Sequence, residues 1–391
     1  LSLHDALPIC VSMDSGQYQT ALDMVEEKIG AKDFPKLQEQ ARSEGKHLGL
    51  GLAFYVEGTG LGPYEGGHIK IHPITGKVYV TTGLSGQGQG HDTVFAQIVA
   101  DQLGVKVEDV ILNEGDSGAF DWGVATFASR AAVVSGNAIH KTAIIVRKKT
   151  IVAAANMLEV GEDEVELRDG HAWVVNSNRC VSLAAVATAT NPLRYAFNEA
   201  AKAATQFAPA SKHDGPALDD GQSPGLEATD YFSPACATWA YGVHAAIIEV
   251  DDVTCSAKVV KYVLIHDCGN MINPTIVEGQ VMGGLAQGIA GTLYEKIEID
   301  EDGNITNANF VDFLVPYATE IPPVEIYHLE TPSPLNPLGV KGVGEAGCIA
   351  VGATIASGLA DALEKFNKPK FLSLPITPSM IFDVISDEAQ N

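Results

Sequence analysis

The chain has 391 residues, with 25 Lys and Arg against 49 Asp and Glu, giving a formal net charge of −24. At roughly 150 residues per domain this length allows two or three domains, so a small disulfide-stapled scaffold is excluded. The negative balance repels nucleic-acid phosphates and anionic lipid surfaces, and no apolar run reaches the ~18 residues that a spanning helix needs, so neither nucleic acid nor a membrane span is expected.

Residues 1–13 read differently from the rest of the chain. Leu1-Ser2-Leu3-His4-Asp5-Ala6-Leu7-Pro8-Ile9 resembles a translated cloning scar, so this leader is set aside as non-native and the natural chain is expected to extend further upstream. From Asp14, the residues Tyr18, Leu22, Val25 and Ile29 recur at helical spacing, and a second short helix is expected from Leu37 to Arg42. Short β-rich runs at Leu48 to Val56, His68 to His72 and Lys77 to Thr82 read as a meander with Pro73-Ile74-Thr75-Gly76 as one turn. Val94, Ile98 and Leu103 predict a helix, followed by a strand from Val107 to Leu112. The longest helix is expected from Ser129 to Leu158, then a strand pair at Val165 to Arg168 and Ala172 to Val175. The order strand, strand, helix, strand predicts an α+β fold of repeated two-layer sheet-plus-helix units. Residues 14–200 form the first half of this organisation. Pro209, Pro216, Pro224 and Pro234 with Gly215, Gly221 and Gly225 mark a long loop or linker at 201–235. Residues 236–391 repeat the alternation, with strands at Val243 to Val250 and Val259 to Ile265 and helices at Pro274 to Lys296 and Ala346 to Phe366.

The six cysteines include no CxxC pair, so the chain offers no local motif for an iron–sulfur cluster or a zinc ribbon. Free thiols in a reducing, cytoplasmic compartment are expected, and no side chain is assigned as a direct metal ligand.

Four segments carry the chemistry. Between a predicted strand and helix runs Thr81-Thr82-Gly83-Leu84-Ser85-Gly86-Gln87-Gly88-Gln89-Gly90-His91-Asp92. Alternating glycines let successive backbone N–H groups face a bound anion, and the helix N-terminus adds a positive dipole end. The run suits a phosphate-bearing heterocyclic cofactor, although a ligand-free glycine turn has the same composition. It lacks the Lys-Ser or Lys-Thr of a P-loop and the GxGxxG spacing of a dinucleotide fold.

A second Gly-rich stretch, Gly115 to Arg130, also joins a strand to a helix. Its Gly-Asp-Ser-Gly start suits a hydrolase nucleophile at Ser117, but no matching histidine segment precedes it. Ser129 or Thr126 is expected to cap the long helix, with Arg130 as a fixed cation at an anion-facing helix end.

Third, Asp267-Cys268-Gly269-Asn270-Met271-Ile272-Asn273-Pro274 opens a helix with Asn273 as N-cap and Pro274 at its first position. Val277, Val281, Leu285, Ile289 and Leu293 form its apolar stripe, while Gly283, Gly284, Gly288 and Gly291 thin it to backbone and Gln280 and Gln287 stay polar. Helical glycines cost roughly 1 kcal/mol each against Ala, so either a packed helix or a buried cofactor must press against them. Last, Leu335 to Gly347 places Glu345 among glycines 339, 342, 344 and 347 at the start of a buried helix. Burial opposes its charge while the helix dipole and Lys341 favour it, which suits a poised general base or simply a first-turn Glu.

Together and in this order, Gly-Gln-Gly-Gln-Gly-His at 86–91, Thr-Phe-Ala-Ser-Arg at 126–130, the Asp267 to Gln287 segment and Lys-Gly-Val-Gly-Glu-Ala-Gly at 341–347 closely resemble the molybdenum-binding subunit of the xanthine oxidase family, the molybdenum hydroxylases. Val56-Glu57-Gly58-Thr59-Gly60-Leu61-Gly62-Pro63-Tyr64-Glu65-Gly66 further resembles the bacterial group that includes aerobic carbon monoxide, caffeine and nicotine dehydrogenase large subunits. The resemblance covers Asp14 to the C-terminus and implies the α+β architecture of a molybdenum cofactor-binding domain. It implies molybdopterin cytosine dinucleotide as cofactor, contacted by Gln87, Gly88, Gln89, Gly90, His91, Thr126, Ser129, Arg130, Gln280, Gln287, Lys341 and Gly344. By the same analogy Glu345 is the base that deprotonates a molybdenum-bound hydroxyl, and the product oxygen comes from water. The substrate class is a small carbon compound such as an N-heterocycle, an aldehyde or carbon monoxide. Electrons then leave through 2Fe-2S and FAD centres on an iron–sulfur small subunit and an FAD-binding medium subunit. Family subunits are about twice as long, and their first half carries part of the metal pocket. This chain therefore resembles a C-terminal half, with a cofactor-free structural or partner-binding module as the alternative.

Overall fold

The computed structural model describes residues 13–191, 225–366 and 371–386. All but Met13 of the 1–13 leader, and most of the 201–235 linker, lie outside the described residues. In chain order the elements are α1 (Tyr18–Ile29), α2 (Phe34–Ser43), β1 (Lys46–Thr59), β2 (Glu65–Ile71), β3 (Val78–Thr82), α3 (His91–Leu103), β4 (Val110–Glu114), α4 (Asn137–Leu158), β5 (Val165–Arg168), β6 (His171–Val174), β7 (Cys180–Ser182), α5 (Leu183–Thr190), β8 (Glu227–Phe232), β9 (Thr238–Asp251), β10 (Ala257–Asp267), α6 (Pro274–Leu293), β11 (Val324–Leu329), α7 (Val351–Ala362) and α8 (Pro378–Ser386). The mixture is α+β, and the chain divides into two compact units.

The first unit comprises residues 1–59, 237–335 and 339–391. Its sheet runs β1-β9-β10-β11, antiparallel except for the parallel β10/β11 pair. Strand β9 is buried on both faces, so its period of two distributes residues to two cores. Tyr241, Val243, Ala245 and Ile247 meet Ala21, Val25 and Ile29 of α1, whereas Ala246, Ile248 and Val250 meet Val281 and Leu285 of α6 and Ile355 and Leu359 of α7. Helix α7 lies against β1 at two glycines, because a Cβ at Gly49 or Gly51 would collide with the Gly358 or Thr354 carbonyl oxygen. Gly51→Ala is therefore expected to destabilise this unit by about 1–3 kcal/mol, the range for overpacking a filled core, measured as a shift in the denaturant midpoint.

The second unit comprises residues 60–236 and 336–338. Its main sheet runs β4-β3-β2-β8, with β3/β4 parallel and the other pairs antiparallel. Helix α4 covers this sheet: the Thr142 hydroxyl donates to the Gly67 carbonyl at 3.0 Å, and Ile139 fills the space where Gly67 has no side chain. A small antiparallel sheet, β5-β6-β7, completes the unit.

Several expected elements differ. The three-strand meander is a β2/β3 hairpin only, because β1 pairs along its whole length with β9. Residues 107–109 form a 3-10 turn, so the strand expected at Val107 begins at Val110. The long helix opens with a π-turn at Ala132–Gly136. The Thr126 hydroxyl does not cap the helix but donates to the Ser85 carbonyl at 2.9 Å, and Ser129 sits in the left-handed region at φ 46°. The end of the expected linker is strand β8, whose alternating half-buried and exposed residues suit an edge position better than a loop. The helix expected from Ala346 starts at Val351, since residues 344–350 are turns pressed against α6 at Gly347. β7, α5, β11 and α8 have no counterpart among the elements expected from the sequence.

Candidate functional site

In the second unit the first two segments converge. Gly83 and Gly123 approach backbone to backbone, where a Cβ on either would strike the other's neighbourhood. The Gly115 amide donates to the Leu84 carbonyl at 2.6 Å, and the Thr126 hydroxyl ties the second segment to Ser85 of the first. Gly88 and Gly90 adopt φ of 91° and 83°, the left-handed region that Gly enters without strain, and Gly90 is the N-cap of α3. A Cβ at Gly86 would press on the tip of the Glu114 side chain, the group that pairs with His91.

The first residue of α3, His91, is buried and stacks on Phe95 with ring centroids 4.7 Å apart. Its Nδ1 lies 2.8 Å from Glu114 Oε2. A carboxylate only accepts, so Nδ1 carries the hydrogen, and Nε2 is a bare acceptor in the neutral ring and a donor in the cation. That Nε2 is buried with no hydrogen-bond partner among the described residues, and so is Nε2 of Gln89, whose Oε1 accepts from the Gln87 amide at 2.6 Å. Two buried polar atoms left open on one glycine cradle at a helix N-terminus fit a polar ligand, which would remove the cost of leaving them unmade. Gln87 and Gly88 are exposed beside them.

Arg130 corrects the expected anion-facing cation. Its side chain is 0% exposed and turned inward. It pairs with Glu65, also fully buried, and donates to the carbonyls of Leu61, Ala125 and Pro63. These bonds hold a strained loop: Ala125, Ala128 and Ser129 have φ of 112°, 47° and 46°, although none is Gly. Such outliers cost roughly 1–3 kcal/mol each and persist only where the surroundings over-determine them. Here Glu65 accepts from the Val124 amide at 3.0 Å and the Gly60 amide donates to the Ala128 carbonyl at 3.2 Å. Sequence reasoning misses Glu65 as a supporting residue of the site, although a carboxylate at the end of a glycine-rich run is a visible sign of it. Ser117, the alternative nucleophile, is exposed and hydrogen-bonds to no histidine among the described residues.

The other two segments converge in the first unit. Asn273 caps α6 as expected, its side chain accepting from the Ile276 amide. The Cys268 carbonyl accepts from the Lys341 amide at 2.7 Å, and Gly269 bridges to Val340. Of the α6 glycines, Gly284 packs on Gly347 and Cys348 and Gly288 on Val351, whereas a side chain at Gly283 or Gly291 would have open space around its Cβ. Helix packing therefore explains two of the four. Gln287 and Gly291 line a cavity of about 540 Å³ with Cys348, Gly352 and Leu374, and Gln280 is half-buried one helical stretch earlier.

Lys341 is another correction. Its buried ammonium donates to the Ser15 carbonyl and the Thr331 hydroxyl at 3.0 and 3.1 Å and pairs with Asp267 at 3.3 Å. Its three hydrogens are used in fixing the foot of the turn, not in facing a cofactor. Gly344 is exposed on that turn and Glu345 half-buried beside it. On the β1 side, the Gly342 amide donates to Thr59 Oγ1 at 2.9 Å. His244 holds the far side: burial drives its imidazole down to about 3, so it is neutral. Its Nε2 lies 3.1 Å from the Ala346 carbonyl, which can only accept, so Nδ1 accepts the Tyr262 hydroxyl at 2.8 Å. Glu345 thus stands on a turn fixed at residues 341, 342, 346 and 347.

Glu57 has no role in the sequence reading beyond its place in the Val56 to Gly66 run. It lies two residues from Thr59 on the same face of β1. Burial first, and the negative charge of Glu345 second, push its carboxyl up to about 7.

Residues 24–322 match the family described as molybdopterin cofactor-binding domain. The chain belongs to that family. The large subunit of nicotine 6-hydroxylase from Paenarthrobacter nicotinovorans is 37% identical, covering 96% of this chain and 45% of that protein. The carbon monoxide dehydrogenase large chain of Afipia carboxidovorans is 34% identical, covering 87% of this chain and 41% of that protein. In three dimensions, quinoline 2-oxidoreductase from Pseudomonas putida 86 matches with a TM-score of 0.81 at 35% identity, over 95% of this chain and 46% of that one. This molybdopterin-binding chain therefore spans less than half the length of the relatives it matches.

Proposed function

We propose that this chain is the C-terminal half of the catalytic subunit of a molybdenum hydroxylase, binding molybdopterin cytosine dinucleotide. The observation that carries this reading is the pair of open, buried Nε2 atoms of Gln89 and His91 on the glycine cradle, in a chain of this cofactor-binding family. Gln87, Gly88, Gln89, Gly90 and His91 would hold the cofactor from the second unit, with Thr126 and Ser129 on the adjoining loop. Gln280, Gln287 and Gly344 are carried over from the family resemblance alone as further cofactor contacts. When bound, molybdopterin supplies a two-electron redox centre.

Glu345 is the proton acceptor of this reading. Its turn is fixed by Lys341, Thr59 and His244, so the backbone that carries the carboxylate is in place before substrate arrives, as general-base catalysis requires. The substrate is a small compound with an electrophilic carbon, such as an N-heterocycle, an aldehyde or carbon monoxide. Electrons pass to 2Fe-2S and FAD carriers on small and medium partner subunits in the cytoplasm. Among the described residues no helix is long and apolar enough to cross a membrane.

The test is metal and nucleotide analysis of the full-length protein co-expressed with its partner subunits under molybdate-replete conditions. Molybdenum and a cytosine nucleotide in near-stoichiometric amounts are expected, and His91→Phe should lower both. A folded complex without either one would overturn the reading.

A further inference from the structure

Resting on the reading of Glu345 as proton acceptor, we propose that Glu57 is the second carboxylate of that centre, the group that takes the proton onward and restores the Glu345 anion. Strand β1 brings it there. Tyr55, Glu57 and Thr59 alternate onto one face, the face on which Tyr55 packs with Ala346 and Ile355 in the core. Thr59 is stapled to the 341–347 turn by the Gly342 amide, and Tyr55 meets edge-on the His244 ring that holds the Ala346 carbonyl. The strand end and the turn are thus joined on both sides of the two carboxylates.

Glu57 is built for a proton and not for an ion pair. Its Oε2 is buried without a hydrogen-bond partner among the described residues, and no cation is paired with it there. The groups acting on it are anionic or neutral: Glu345 from the turn, and Tyr55 on its own strand, whose hydroxyl burial keeps protonated. Cys348 feels the charge of Glu345, and Cys268 and Asp267 act on Tyr55. A poorly solvated carboxyl with no cation paired to it among the described residues, beside a second carboxylate, favours holding a proton. In the step proposed, the O–H bond on Glu345 breaks and one on Glu57 forms, with no change of oxidation state. Because Glu57 is only half-buried, the proton then leaves to solvent.

Infrared titration of the cofactor-depleted full-length protein, with wild type, Glu57→Gln and Glu345→Gln compared, tests the pairing without turnover. A protonated-carboxyl band should titrate near neutrality in wild type, vanish in Glu57→Gln, and move to lower pH in Glu345→Gln once the neighbouring charge is gone. With the loaded enzyme, Glu57→Gln should lower kcat roughly tenfold and flatten its pH dependence around neutrality at unchanged cofactor content, and Glu57→Asp should recover part of it. A band unmoved by Glu345→Gln, or a Glu57→Gln enzyme with the wild-type pH profile, overturns the proposal. If Glu345→Gln itself turned over normally, the base assignment would fall instead, whatever the infrared coupling showed.

Discussion

Glu345→Gln in the full-length enzyme is expected to reduce substrate hydroxylation by at least ~100-fold while leaving cofactor content and stability near wild type. General-base catalysis contributes about 10²–10⁴ in rate, and Gln keeps the shape of Glu but cannot take up a proton. The turn itself should survive, since the backbone amide of Gly342, the Ala346 carbonyl and the Lys341 ammonium all hold it. Steady-state kinetics with parallel molybdenum analysis would decide the matter. Undiminished kcat at equal metal content would remove Glu345 from the mechanism.

Arg130→Met is expected to destabilise the second unit by about 3–5 kcal/mol, because it leaves Glu65 as a fully buried charge with no counter-ion from this residue. The loss reaches further than the ion pair. The carbonyls of Leu61, Pro63 and Ala125 lose their donor together, and the left-handed backbone at Ala125, Ala128 and Ser129 loses what holds it. Arg130→Lys should rescue only part of this, since one ammonium cannot reproduce the planar fork of donors. Denaturant unfolding supplies the measurement, and hydrogen exchange across residues 115–130 should show the loop opening first. A midpoint within about 0.5 kcal/mol of wild type, the usual effect of a surface substitution, would refute the organising role.

The same two residues show how far a sequence can be read. Glu345 stands out because an acid surrounded by four glycines and preceded by prolines is unusual in composition alone. Arg130 stands out for its place at a helix start, but its direction is not legible there. The glycine-rich run marks Glu65 as a candidate, but not as the counter-charge of a residue on the far side of two strands and a helix in the chain, nor does it show that the guanidinium turns inward to it. Lys341 misleads for the same reason: Ser15 and Asp267, which hold its ammonium, come from other parts of the chain. Glu57 escapes a sequence reading because its altered proton affinity belongs to a shared environment and not to its own neighbours in the chain.

Periodicity is enough to locate most strands and helices, since spacings of two and 3.6 residues are written in consecutive side chains. It cannot say which strands pair. β1 reads as the first strand of a local meander, yet it joins β9 from the other half of the chain, and β8 reads as linker until β2 pairs with it. The sequence by itself determined the family, the glycine cradle and the acid on its stiff turn, because these depend on residue type and short-range order. The tertiary structure decided which charges are buried against each other and which loops are strained. Burial, charge pairing and strain are properties of neighbours in space, and most of those neighbours here are far apart along the chain.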